Sequence, residues 1–300
     1  MKAQMMLVVI LLFGACASSA TERHAARGLV VKVDLAKKSV LISCEEIPGY
    51  MSAMVMPFEV KRGNELEGLG PGTMIEFTVV VDGQSAYIEQ IHIHKYESAE
   101  LDPLTARRLK VITQLGDGGS VEGLKAGDVV PDFTLVDQTR RNVTLSSFQG
   151  KVVLITFTYT HCALPNFCFR VANHFRQVQA RYADRLGKDL VLMTITFDPA
   201  HDTPEVMAKY GETWHADPKD WHLLTGEASQ VAAVGRKYGI SFWADEGLMN
   251  HSLHTFVVDR SGRLVADLEG NEYTTAELED LVESVLGGNS AKTTRVALAK

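Results

Sequence analysis

The stretches Lys151–Tyr159 (KVVLITFTY) and Leu190–Phe197 (LVLMTITF) are nearly unbroken runs of apolar and β-branched residues. A strand with one face in water alternates polar and apolar side chains, so a strand that does not alternate must be covered on both faces. Helical periodicity separates and follows the two runs, over Arg170–Leu186, Pro204–Trp214 and Ala228–Tyr238. Two further strands, Ser252–Asp259 and Leu264–Leu268, meet at the turn Arg260-Ser261-Gly262, and a terminal helix spans Thr275–Leu286. Strands and helices in this order predict an α/β domain with helices on both sides of its sheet.

A late hairpin and a closing helix make that domain, over 126–288, thioredoxin-like. The preceding half reads differently. Gly28–Val33, Ser39–Ser43, Met54–Val60, Met74–Val81 and Ala86–His94 are short strand candidates divided by turn residues, which predicts a small all-β, OB-like five-stranded barrel over 24–97. Residues 98–125 read as a linker, with a short helical candidate at Pro103–Leu115 and the flexible run Gly116-Asp117-Gly118-Gly119-Ser120. Residues 289–300 have no periodicity and read as a disordered tail.

Residues 1–20 have the layout of a secretory signal: Lys2, an apolar run from Met5 to Phe13, then small residues. Cleavage after Ala20 and cleavage before Cys16 with lipidation of that cysteine are both open. Either route predicts a periplasmic or cell-envelope protein, membrane-anchored in the second case. The net charge of −7 supplies no basic stripe to neutralise a phosphate backbone, which excludes a nucleic-acid binder. Beyond Cys16, only Cys44, Cys162 and Cys168 remain. Three cysteines leave at least one thiol unpaired within the chain, so a disulfide framework does not explain them.

Cys162 and Cys168 lie in the loop between the first buried strand and the helix after it, where open α/β sheets gather ligands. The positive end of that helix is expected to lower the thiol pKa and make both cysteines reactive. Soft thiolates select copper(I) or zinc, and an added imidazole widens the choice to copper(II). His251 and His254 both compete for the third place. In the barrel half, Met54 and Met56 stand two apart, so on a strand both thioethers face the same way. They form either a soft copper(I) grip or core filling.

Four segments resemble the Sco/SenC family of copper chaperones for cytochrome oxidase assembly: Phe157-Thr158-Tyr159-Thr160-His161-Cys162 with Cys168, Thr196–Pro204, Leu223-Leu224-Thr225-Gly226, and His251-Ser252 leading to Val258–Leu264. The resemblance implies that Cys162, Cys168 and His251 are the copper ligands. It gives His254 no role, and it suggests Asp198 as an acid behind the ligands. Asp202 or Thr203 reads equally well as the cap of the following helix. Five residues separate the cysteines, where the best-known family members have three. Residues Gly28–His94 are similar to CusF-type periplasmic copper-binding domains, in which the metal sits between a histidine and a Met-x-Met pair. Here Cys44 takes the histidine's place beside Met54 and Met56, and Met51 that of a capping tryptophan. His92 and His94 read as solvent-exposed.

Together these resemblances predict an exported metallochaperone that binds copper as Cu(I) or Cu(II). Its expected partners are the copper-bearing subunit of cytochrome c oxidase or other copper proteins. The alternative is an extracytoplasmic thiol-disulfide oxidoreductase in which Cys162 and Cys168 cycle between dithiol and disulfide. A peroxiredoxin-type enzyme is disfavoured because its Thr-Pro-x-x-x-Cys run is missing. Structural zinc is disfavoured because two cysteines and one histidine do not close a four-ligand site.

Overall fold

A computed structural model describes residues 21–82, 85–94, 96, 123–162, 165–240, 242–245 and 248–287. The readings for the export signal, the lipidated Cys16, the Pro103–Leu115 helix and the disordered tail lie outside the described residues. No helix among the described residues is long and apolar enough to cross a membrane.

Five strands, β1 (Glu22–Asp34), β2 (Ser39–Cys44), β3 (Met54–Val60), β4 (Met74–Asp82) and β5 (Ser85–Ile93), close into a barrel in the order β1-β2-β3-β5-β4. Closure leaves no strand edge open. The interior is filled by Val30, Val40, Ile42, Cys44, Phe58, Ile75, Phe77, Val79 and Ile88.

The second half is a seven-stranded sheet in the order β14-β13-β8-β9-β10-β6-β7. Its strands are β6 (Thr134–Asp137), β7 (Asn142–Thr144), β8 (Val152–Thr158), β9 (Leu190–Thr196), β10 (Trp221–Thr225), β13 (His254–Val258) and β14 (Leu264–Glu269). A separate two-stranded hairpin, β11 (Phe242–Asp245) with β12 (Leu248–His251), stands beside it. The two unbroken runs are β8 and β9, paired in parallel from Val152↔Leu190 to Thr158↔Thr196. Val153, Ile155 and Phe157 enter one core with Val231, Val234 and Tyr238. Val152 and Leu154 enter the other, against helices α1 (Arg170–Arg181), α2 (Pro204–Trp214) and α4 (Thr275–Leu286). The first of those cores is closed by α3 (Ala228–Lys237). The chain is thus a thioredoxin-like α/β domain preceded by an all-β barrel.

Three details differ from the sequence reading. Helix α1 ends at Arg181, and Leu186 reaches the core through turns closed on the Tyr182 carbonyl. Strand β10 was not legible, because its hydrogen bonds are completed by a distant side chain: Gln138 donates to the Trp221 carbonyl and accepts from the Leu223 amide. His94 is not simply exposed, since its Nε2 lies 2.7 Å from Glu272, which also takes Arg27 at 2.9 Å.

Those contacts belong to the seam between the two domains. Leu29 of β1 is fully buried in the larger domain's core, with Val257, Ala266, Leu268 and Leu281. Gly72, at φ +87°, permits the approach, because a Cβ there would lie 2.8 Å from that of Ala266. Ser43 Oγ donates to Asp280 of α4 at 2.6 Å. A buried leucine truncated to alanine costs about 2–5 kcal/mol through lost transfer energy and the cavity left behind. Leu29→Ala is therefore expected to lower stability by that amount and, in urea denaturation of the full chain, to shift the larger domain's own transition.

Candidate metal centre

The loop after β8 carries Cys162, and a π-helical turn, Pro165–Phe169, carries Cys168 into the start of α1. Both cysteines are buried, at 6% and 3% exposure, and stand as thiols hydrogen-bonded to each other. His251, the last residue of β12, places Nε2 3.7 Å from Cys168 Sγ. Its Nδ1 lies 3.0 Å from the Ser252 carbonyl. A carbonyl only accepts, so Nδ1 carries the proton and Nε2 offers its lone pair toward the thiols. That is the tautomer a metal-binding imidazole needs.

The ring is wedged in place. Phe197 packs across it at 4.4 Å between centroids, and Tyr159 meets it edge-on at 5.8 Å. The hairpin that carries it is seated by Phe242, the register partner of His251, which packs on Phe197 at 5.1 Å. Phe242 fits because Gly235 of α3 lacks a side chain, and a Cβ there would come within 2.6 Å of the ring. The pairing of a histidine with a phenylalanine nine residues upstream has no local sequence signal. Sequence reading accordingly missed Phe197, Tyr159, Phe242 and the Ser252 carbonyl as parts of the site.

Electrostatics reverse one expectation. The Cys168 thiol is held well above its ordinary pKa, first by its hydrogen bond to Cys162, then by burial, then by the charge Cys162 carries when ionised. The Thr158 hydroxyl and Tyr159 amide offset this only in part. Two thiols sharing a proton in a low-dielectric pocket outweigh a helix terminus. Burial also depresses His251 to about 4, which keeps the imidazole neutral and ready to bind. A cation placed here would neutralise the thiolates and displace their protons.

His254 is drawn elsewhere. It starts β13, and its Nδ1 lies 2.9 and 3.0 Å from the two oxygens of Asp267. Burial would lower its pKa, but Asp267 outweighs burial and raises it. Asp198 faces His161 at 3.7 Å. Thr203 caps α2 by accepting from the Val206 amide. Asp202 has a different task. Fully buried, it accepts from the Thr160 amide at 3.1 Å and from the hydroxyls of Thr160 and Thr196, locking the loop after β8 to the loop after β9.

In the barrel, Cys44 and Met54 are direct cross-strand partners, and Met56 faces Ile42 two pairs further along. Met51 and Met56 pack against the same interior cluster as Cys44. Positions two residues apart share a face, so the register puts Cys44, Met54 and Met56 on the same face of the β2–β3 pair. Burial, with Glu45 and Glu277 nearby, pushes the Cys44 thiol up to about 11.

Removing Asp202 leaves a buried amide and two hydroxyls without their acceptor, at about 1–3 kcal/mol for each group that finds no substitute. Asp202→Ala is expected to destabilise the full chain by about 3 kcal/mol or more in urea denaturation, whereas Thr203→Ala, which removes an exposed cap, costs about 1 kcal/mol.

The chain is similar to known proteins in both of its halves. The family model described as SCO1/SenC matches residues 121–286, and that described as copper binding periplasmic protein CusF matches residues 23–93. A SCO2-like protein of Rickettsia typhi is 28% identical over 152 residues, covering 48% of this chain and 70% of the relative. The mitochondrial SCO2 homolog of Bos taurus is 30% identical over 158 residues, 50% of this chain and 57% of that protein. Among solved structures, Bradyrhizobium japonicum ScoI with copper bound is 28% identical, with a TM-score of 0.43, covering 53% of this chain and 99% of that one. With more than half of its length matched by the family model, the chain belongs to the SCO1/SenC family.

Proposed function

We propose that this protein is an exported copper metallochaperone whose larger domain holds copper through Cys162, Cys168 and His251 and hands it to the copper centre of cytochrome c oxidase. The observation that carries the reading is the neutral His251 imidazole, its Nε2 aimed at Cys168 from 3.7 Å beside a hydrogen-bonded thiol pair. Two sulfurs and one nitrogen suit copper(I) as soft donors, and the set has too few ligands to enclose zinc structurally. Membership of the SCO1/SenC family supports the same assignment. Delivery proceeds by ligand exchange: an acceptor's thiolate or imidazole replaces His251 first, since a neutral donor leaves more readily than a thiolate.

The test is an anaerobic copper(I) competition titration of the reduced full chain in a Cys44→Ala, Met54→Ala background. His251→Ala is expected to weaken binding at least about tenfold, and Cys168→Ser further. Unchanged affinity in both variants would sink the ligand assignment.

One observation favours a second reading, thiol-disulfide exchange: the two thiols already touch. Against it stands the raised Cys168 pKa, which leaves that sulfur little thiolate with which to attack near neutral pH. Measured reduction by the copper-free chain of a disulfide in an acceptor peptide, abolished by Cys162→Ser, would favour the redox role.

For the barrel we propose a separate copper(I) grip made by Cys44, Met54 and Met56, with Met51 at its rim. Because the Cys44 thiol is protonated below about 11, copper must displace its proton. Affinity is therefore expected to rise up to about tenfold per pH unit between pH 6 and 8 in a Cys162→Ser, Cys168→Ser chain. Cys44→Ala should flatten that slope, and a slope that persists would move the site elsewhere.

A further inference from the structure

Outside the thiol pocket, the described residues hold one group of three metal-ligating side chains, His161, Asp198 and His201, whose donor atoms all lie within 4.8 Å of one another. His161 stands on the loop after β8, and the other two stand on the loop after β9. The imidazole rings of His161 and His201 face each other at 4.5 Å, and His161 Nε2 is 3.7 Å from Asp198. The histidines are exposed and the carboxylate half-buried, so water can complete a coordination shell.

This grouping is built into the fold. Asp202 ties the two loops together from beneath, and the Asp198 carbonyl accepts from the amides of His201 and Asp202, closing the loop into a tight turn. The Asp198 amide is held in turn by Thr196 Oγ1 at 3.0 Å. Donors around a small divalent ion bound at about 2.0–2.2 Å stand roughly 3–4 Å apart, so modest side-chain rotation closes the cluster.

We infer that His161, Asp198 and His201 form a second metal site, which takes a borderline divalent cation, copper(II) before zinc or nickel. Two imidazoles and a carboxylate lack the soft sulfur that selects copper(I), and copper(II) heads the affinity order for nitrogen and oxygen donors. The site lies at the rim of the thiol pocket. His161 precedes Cys162 directly, and the Tyr159 ring meets His161 on one side, at 4.9 Å, and His251 on the other. The protein thus presents a hard-donor mouth above a soft-donor interior. The assignment stands whether or not the thiols handle copper.

The test uses the full chain with all four cysteines, Cys16, Cys44, Cys162 and Cys168, changed to Ser, so that no thiol binds or reduces the ion; the corresponding all-Ala chain replaces it if the hydroxyls disturb the core. One equivalent of copper(II) chloride is added and read by electron paramagnetic resonance. The expected result is one bound ion per chain with hyperfine coupling to two imidazole nitrogens. His201→Ala should reduce this to one nitrogen and weaken binding at least about tenfold. His92→Ala, at an exposed histidine far along β5, should change neither. An unaltered spectrum and affinity in both His161→Ala and His201→Ala, or the absence of saturable binding, overturns the assignment. Because this chain has no thiols, its result is independent of the copper(I) titration: either site can fail while the other holds.

Discussion

The parallel pairing of β8 with β9 is the constraint on which the larger domain is built. Every side chain in both strands is buried, alternate ones feeding opposite cores, so neither strand can shift register without driving a residue into the wrong layer. Their last pair, Thr158↔Thr196, sets the two following loops side by side. Asp202 turns that proximity into a fixed geometry. A carboxylate with no access to water must satisfy its acceptors internally, and it does so only when both loops are present and correctly placed. The thiol pair and the His161–Asp198–His201 group are thus two products of one strand pairing.

The site combines a rigid imidazole with reluctant thiols. His251 is neutral by burial, oriented by a carbonyl and wedged by aromatic rings, so little ordering remains to be done when a ligand arrives. Cys168 instead keeps its proton until a cation compensates it. Cys168 is therefore quiet in the empty protein and becomes a strong donor only in the presence of metal.

Much of this could be read in the chain. The continuous apolar runs gave the central strands, and the helices Pro204–Trp214 and Thr275–Leu286 agree with the observed ends because a proline and a threonine cap mark their starts. What escaped was non-local. Strand β10 depends on Gln138, and the hairpin under His251 depends on a cavity beside Gly235; neither partner is visible in its own neighbourhood. The expected activation of Cys168 by a helix terminus failed for a related reason: the local field was readable, while the opposing effect of Cys162 appears only once the five intervening residues are folded. His161 and His201 were passed over because each alone is an ordinary surface histidine.

The burial of Leu29 inside the larger domain changes what the fusion of the two halves means. They are not modules on a tether, since the barrel supplies part of its neighbour's interior and covers the flank of β14. Any ion passing between them must cross a fixed seam, lined by Arg27, His94 and Glu272, and cannot rely on one domain swinging to meet the other. A chain shorn of its barrel would present an open strand flank with an apolar notch, a surface suited to self-association. Whatever the barrel binds, it also serves as a wall.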